Sequence, residues 1–260
     1  MSPTQALDFT SLLSGQQRRR AAFQHGLDAA PRSLPCPEHP RQTAVLDVPA
    51  SWEAARIVHR CEVCDLEAVE LSTRQRMGAM GVPERVRGAM FAGYSTSSQP
   101  VASGITPSYA LDTAARMANG ELLNLVLCGT PGTGKGHLAA AIMRARLDAG
   151  ASGDRWLTAA SFFRAYHAAY DDGANAAVVR HYARRPLLVL DEMGLGAIPR
   201  DGEVALSELF DARWNAQRPT VIISNLTPAV LCRDWLGARV SDRLNERSAV
   251  LWMAWKSFRQ

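Results

Sequence analysis

The sequence predicts an α/β fold, a parallel sheet of about five strands with helices on both faces, behind a small N-terminal module. Two observations carry this. From Thr106 onward, short apolar runs alternate with helical stretches, the order that a parallel sheet covered on both faces requires. One of these runs, Leu122 to Cys128, leads directly into a glycine-rich loop and then a second helical stretch. The scale also fits: 260 residues with 47% hydrophobic content suffice for one α/β core and a smaller appendage.

Residues 1–33 read as a helical, arginine-bearing segment anchored by Leu12, Leu13 and Phe23 and ended near Pro31. Pro35-Cys36-Pro37-Glu38-His39-Pro40 cannot be helical, because three prolines fix φ and remove donors, so a loop or knuckle follows. Residues 34–68 form the expected small module, with a charged helix over Arg60 to Gln75. Gly78, Gly81, Pro83 and Gly88 then break the chain into a linker, 69–100. Residues 101–260 hold the sheet: a helix over Ser108 to Ala118, a strand over Leu122 to Cys128, and a helix to about Ala149. Further strands fit Arg155 to Thr158, Leu187 to Asp191, Thr220 to Ser224 and Ala249 to Met253.

The net charge of +4 is too mild to establish nucleic-acid binding. Arg18-Arg19-Arg20 and Arg74, Arg76, Arg85 and Arg87 are candidate phosphate contacts or solvated helix faces. No run of 18 apolar residues occurs, and Met1 to Arg20 lacks the apolar stretch of a signal peptide, so a cytoplasmic protein without a membrane partner is expected. Only Lys135 and Lys256 among 29 basic residues are lysines. A lysine kept against that bias has a reason, and at Lys135 a compact ammonium fits between phosphates where a planar guanidinium does not.

Gly129-Thr130-Pro131-Gly132-Thr133-Gly134-Lys135 stands at the strand-to-helix junction. Its glycines let backbone N–H groups converge on phosphates, the helix N-terminus adds partial positive charge, and Lys135 reaches the outer phosphates, so ATP is the expected ligand. Asp191-Glu192 ends the apolar run Leu187 to Leu190. At the ligand edge of a parallel sheet Asp191 can hold Mg2+ while Glu192 polarises the attacking water. Ser224-Asn225 ends the next run and should lie beside Asp191. Asn225 can orient the water or touch the γ-phosphate, or cap the helix at Thr227-Pro228. After Lys135, where Ser or Thr would give Mg2+ a hydroxyl, stands Gly136, so nucleotide binding should survive with weakened metal positioning and slow turnover.

Cys36-x-x-His39 and, after 21 intervening residues, Cys61-x-x-Cys64 supply the S/N set of a structural Zn2+ site, with His59 as the alternative to His39. Cys128 and Cys232 fall in apolar stretches and read as buried and inert. Phe162, Phe163, Tyr166 and Tyr170 have helical spacing. They read as a base-stacking face or, for the first three, as a buried stripe.

These motifs resemble the DnaC-type replicative helicase loaders, a branch of the AAA+ ATPases that also includes the IstB transposition proteins. The resemblance runs from Met77 to Arg259. It is carried by Gly81-Val82-Pro83-Glu84-Arg85 with Phe91 and Tyr94, by Gly129 to Ile142, by Leu190 to Gly194 and by Ser224-Asn225-Leu226. Gly237 to Leu244 and Trp255-Lys256-Ser257-Phe258-Arg259 complete it. It implies a minimal AAA+ domain without the C-terminal lid and a nucleotide cradle that extends through Gly136 and His137. In the family the second arginine of Gly-x-Arg-x-x-Asp-Arg acts as a finger on a neighbouring subunit's γ-phosphate. The resemblance carries that role to Arg243, with Arg239 in support, and implies self-association. Arginines four apart also share a helix face and could instead pair with Asp242 or Glu246.

The cysteine-bearing front end resembles that of phage and bacterial loaders, and the helices before it correspond to their helicase-docking region. The resemblance implies an ATP-dependent loader, weakly hydrolytic, that holds a hexameric DnaB-type helicase open for single-stranded DNA. An IstB-like ATPase that assists a transposase is the alternative, and a nucleotide-sensing adaptor that scarcely hydrolyses ATP is a third reading, prompted by Gly136.

Overall fold

The computed structural model describes residues 33–36, 38–39, 42–47, 58–97, 104–245 and 247–258; for 33–35, 43–47 and 58–60 it describes the backbone only. The helix expected over 1–33, with Arg18, Arg19 and Arg20, lies outside the described residues, as do Glu246 and Arg259. Two compact units divide the chain, Met1–Ser72 and Thr73–Gln260.

In the first unit three short antiparallel strands form a sheet: β1 (Ser33–Pro35), β2 (Thr43–Asp47) and β3 (Val58–Arg60), in that order. The knuckle expected after Pro35 is present. Cys36 N–H donates to the Gln42 carbonyl at 2.9 Å and Gln42 N–H to the His39 carbonyl at 2.8 Å, closing a tight turn between β1 and β2. After β3, Cys61 precedes helix α1 (Glu62–Ala79), whose first turn carries Glu62 and Asp65, the charge sign that a helix N-terminus favours.

The second unit contains helix α2 (Pro107–Ala118), β4 (Asn124–Gly129), α3 (Lys135–Asp148), β5 (Arg155–Thr158), α4 (Ala159–Ala168) and α5 (Asn175–Ala183). β6 (Leu188–Met193), α6 (Gly202–Asn215), β7 (Thr220–Ser224), α7 (Pro228–Leu231), α8 (Gly237–Asn245) and β8 (Ser248–Met253) complete it. The five strands are parallel, in the order β5-β6-β7-β4-β8. Alternate residues feed two cores. Leu125, Leu127, Val189, Val221 and Ile223 enter one with α2 and α3, whereas Val126, Cys128, Leu188, Leu190 and Ile222 enter the other with α4, α5, α6 and α8. That period of two, apolar on both faces, explains the continuous apolar runs in the sequence.

The segment expected as a linker differs. Residues 73–97 are built into the second unit: Met77, Val82, Ala89 and Tyr94 are buried in its first core, and Trp156 N–H at the start of β5 donates to the Met80 carbonyl at 2.8 Å. Gly78 does not break its helix. A Cβ there would stand 3.1 Å from the Arg87 guanidinium, whose Nε donates to the Val82 carbonyl at 3.0 Å, so this glycine makes room for a side chain.

The aromatic stripe is core. Phe162, Phe163 and Tyr166 are buried on α4, and Tyr170 beyond it is exposed and donates to Asp201 at 3.1 Å. Cys128 is fully buried, and burial pushes its thiol up to about 12; Cys232 is half-buried after α7.

Candidate nucleotide and metal sites

The C-terminal ends of β4, β6 and β7 converge on a cavity of about 510 Å³. The loop after β4 supplies Pro131, Gly132, Gly134, Lys135, Gly136 and His137 to its wall; Asp191 and Glu192 come from β6, and Ser224 and Asn225 from the end of β7. Gly129, Thr130 and Thr133 shape the loop from behind, Thr133 Oγ1 donating to the Thr130 carbonyl at 2.9 Å. Lys135 is buried at the start of α3, its Nζ donating to the carbonyls of Gly129 at 2.6 Å and Thr130 at 2.8 Å. An arriving phosphate oxygen would find this ammonium centred in the loop.

The β6–β7 register shifts between Leu190 and Met193, and Glu192 takes φ 57°. This left-handed conformation is costly for a residue with a Cβ, by about 1–2 kcal/mol, and such strain concentrates where a side chain must be aimed. Here it leaves Asp191 buried and Glu192 exposed at the cavity. Burial raises the Asp191 carboxyl above the ordinary carboxylate range, against the pull of the Glu192 N–H that it accepts at 2.8 Å. Ser224 Oγ donates to the Met193 carbonyl at 2.5 Å and accepts from Leu226 N–H at 3.0 Å, joining the ends of β6 and β7 and leaving Asn225 exposed at the cavity.

At Gly136 a Cβ would meet nothing within 4 Å. No contact of the fold demands a glycine there. Were Mg2+ to bind here, Asp191 could offer it a carboxylate, with phosphate and water oxygens to complete an octahedron, a set that would suit this hard cation.

Arg239 and Arg243 are not among the residues that line this cavity. Both reach across from α8 to Asp211 on α6, Arg239 at 2.5 Å and Arg243 at 2.6 Å, rather than pairing with Asp242 on their own helix. Spacing along one helix could not reveal this partner on another. Arg85, read from the sequence as a nucleic-acid phosphate contact or a solvated face, lines this cavity instead, and sequence reasoning missed Tyr94 and Phe258 as cavity residues; each lies in a segment quoted for resemblance, but no spacing rule joins positions so far apart.

In the first unit, Cys36, His39, Cys61 and Cys64 bring one ligand atom each within 4.8 Å of all the others. Cys36 Sγ lies 3.5 Å from Cys64 Sγ, and His39 Nδ1 lies 3.3 Å from Cys64 Sγ, 3.9 Å from Cys36 Sγ and 4.0 Å from Cys61 Sγ. Zinc bonds of about 2.3 Å to sulfur and 2.0 Å to nitrogen give tetrahedral edges of roughly 3.5–3.8 Å, so the four atoms fit the ion. The Cys64 thiol is pushed up to about 12, first by its contact with Cys36 and then by burial. His39 Nε2 faces Glu67 Oε1 at 3.3 Å, where an outer carboxylate would orient the imidazole if it ligated a metal. The side chain of His59 lies outside those described.

A family model described as IstB-like ATP binding protein matches residues 111–260, more than half of the sequence. The chain belongs to this IstB-like ATP-binding family. Among curated relatives of this IstB-like protein, YdaV of Escherichia coli K12, itself uncharacterized, is 30% identical over 198 residues, 74% of this chain and 76% of YdaV. The replicative helicase loader DnaC of the same organism is 30% identical over 145 residues, 54% of this chain and 58% of DnaC. The chain thus spans somewhat over half the length of that loader. Two solved structures share the fold: the DnaC helicase loader, with TM-score 0.53 and 24% identity over 67% of this chain and 100% of that one, and DnaI. DnaI has TM-score 0.54 and 19% identity over 68% of this chain and 94% of that one. This is a DnaC-like AAA+ ATP-binding domain with a five-stranded parallel sheet. No helix among the described residues is long and apolar enough to cross a membrane.

Proposed function

We propose that this IstB-like protein is a cytoplasmic, ATP-controlled loader that holds a hexameric DnaB-type replicative helicase for delivery onto single-stranded DNA. The observation that carries the reading is the 30% identity to the DnaC loader over 145 residues. The four-residue metal cluster in a unit of its own supports it, since a module of this kind precedes the ATPase in the loaders that the sequence resembles.

ATP acts as the switch. Bound ATP supplies the γ-phosphoryl group, and Mg2+ neutralises charge on the phosphates. The loop backbone and Lys135 hold the phosphates, Asp191 holds Mg2+, Glu192 polarises water and Asn225 orients it. Arg243 of one copy serves the nucleotide of the next, so copies associate on the helicase. With no hydroxyl at position 136, turnover is slow and responds to helicase and DNA. Zn2+ on Cys36, His39, Cys61 and Cys64 holds the N-terminal unit together.

The second reading is an ATPase that assists a DNA transposase, favoured by the IstB-like description of the matching family model. The deciding experiment is capture of purified replicative helicase, against a transposase, by wild type and Lys135→Ala with and without ATP. A loader captures helicase in an ATP-dependent manner that Lys135→Ala loses. Capture of transposase alone would establish the second reading.

A further inference from the structure

The cavity wall carries two kinds of side chain. Lys135, Asp191, Glu192 and Asn225, with Arg85 and His137, are charged or polar, whereas Tyr94 and Phe258 are aromatic. A nucleotide combines the same two chemistries, an anionic tail and a flat, weakly polar head. The two aromatic residues come from segments outside the phosphate loop, one before β4 and the other after β8.

These segments are bonded to the phosphate loop itself. Phe258 N–H donates to the Gly132 carbonyl at 2.9 Å, and Trp255 Nε1 donates to the Thr133 carbonyl at 3.1 Å. Tyr94 Oη donates to that same Thr133 carbonyl at 3.2 Å. The contact is close enough to dictate sequence: a Cβ on Gly132 would lie 1.9 Å from Ser257 Oγ, and one on Gly134 would lie 2.6 Å from the Tyr94 ring. The Phe258 ring meets Tyr94 edge-on, 6.0 Å between centroids at 73°. Phe258 is only half-buried and lines the cavity along with its charged residues.

Building on the ATP-site reading, we infer that Phe258, edge-braced by Tyr94, is the surface on which the base of the bound nucleotide stacks, and that segment 254–258 is a nucleoside-recognition element. Tyr94 is buried and its hydroxyl is used within the protein, so it positions; Phe258 contacts the ligand. Because both are tied to the loop that cradles phosphate, base and phosphates are read by one connected piece of structure.

The test measures binding of ATP and of inorganic tripolyphosphate, by calorimetry, to full-length wild type, Phe258→Leu and Phe258→Tyr, with thermal melts to confirm folding. Leucine keeps the apolar packing but has no flat face, whereas tyrosine keeps the face. Loss of base stacking predicts that Phe258→Leu weakens ATP on the order of 10- to 100-fold while tripolyphosphate changes less than about twofold, and that Phe258→Tyr retains ATP. Equal weakening of both ligands, or of neither, overturns the inference, the former making Phe258 a brace for the loop. The ATP-site reading is checked separately with Lys135→Ala. If that variant binds both ligands as wild type does, the phosphate-loop assignment fails, whatever Phe258 does.

Discussion

Arg243 directs its Nε to Asp211 Oδ1 at 2.6 Å while its guanidinium carbon lies 4.2 Å from the centre of the Trp214 ring. Asp211 also takes Arg239 at 2.5 Å, so one carboxylate on α6 holds both arginines proposed to serve a neighbour's nucleotide. Arg243→Ala is expected to leave ATP affinity unchanged and to lower turnover with helicase and single-stranded DNA on the order of a thousandfold. Mixing this variant with Lys135→Ala decides whether the finger acts in trans. Each supplies what the other lacks, so the mixture should regain activity that neither has alone; a silent mixture would make Arg243 structural.

Gly136 is open for substitution, because a Cβ there meets nothing within 4 Å. Gly136→Thr restores a hydroxyl beside the phosphates and is expected to tighten Mg2+-ATP relative to metal-free ATP and to raise basal turnover. Threonine also improves helix propensity by a few tenths of a kcal/mol, so nucleotide-free melting is the control. Unchanged metal dependence and turnover would show that the missing ligand does not limit this site.

The Cys-His cluster predicts one Zn2+ per chain, measured by elemental analysis after metal-replete expression. Cys61→Ser is expected to release it and to melt the N-terminal unit while sparing ATP binding. Glu67→Gln keeps all four ligands and loosens the His39 imidazole, so zinc affinity should fall about 10- to 100-fold in a chelator competition. Zinc retained by Glu67→Gln at wild-type affinity would remove Glu67 from the site.

The strands were legible because each carries a local signature: apolar runs such as Leu187 to Leu190 and Val221 to Ile223 mark strands buried on both faces, and Gly129 to Lys135 marks a junction. Cys36, His39, Cys61 and Cys64 were legible by their paired spacing, which reflects the short reach of a metal. Arg213 was invisible. A lone arginine in a helix suggests a solvated face, yet this one is buried, a role set by partners that fold in from distant segments. Residues 73–97 misled for a related reason, their glycines and proline reading as a linker although the apolar residues between them enter the core.

Arg213 also yields a stability prediction. Its guanidinium donates to the carbonyls of Tyr182, Ala183, Arg185 and Pro219 and to Thr220 Oγ1, closing the end of α5 against the start of β7. Arg213→Met fills much of the space but removes five hydrogen bonds and takes the donor from the Arg185 carbonyl, while the Tyr182, Ala183 and Pro219 carbonyls keep those from Arg185 N–H, Arg218 and Leu188 N–H. With that one group left unsatisfied at about 1–3 kcal/mol and the other bonds to a charged donor lost, partly relieved by water, a loss on the order of 3–5 kcal/mol is expected in urea unfolding. A loss below about 1 kcal/mol would mean that water reaches the carbonyls freely.

The placement of β7 between β4 and β6 sets a length scale. Neighbouring strands lie about 4.8 Å apart, so the lysine-bearing loop after β4 and the Asp191-Glu192 pair on β6 are two strand spacings, roughly 10 Å, from each other. A small anion seated at one end would leave the rest of that gap to side-chain reach. Strand order thus makes the sheet edge a ruler, and a chain of phosphates with its associated cation is long enough to press on both marks at once.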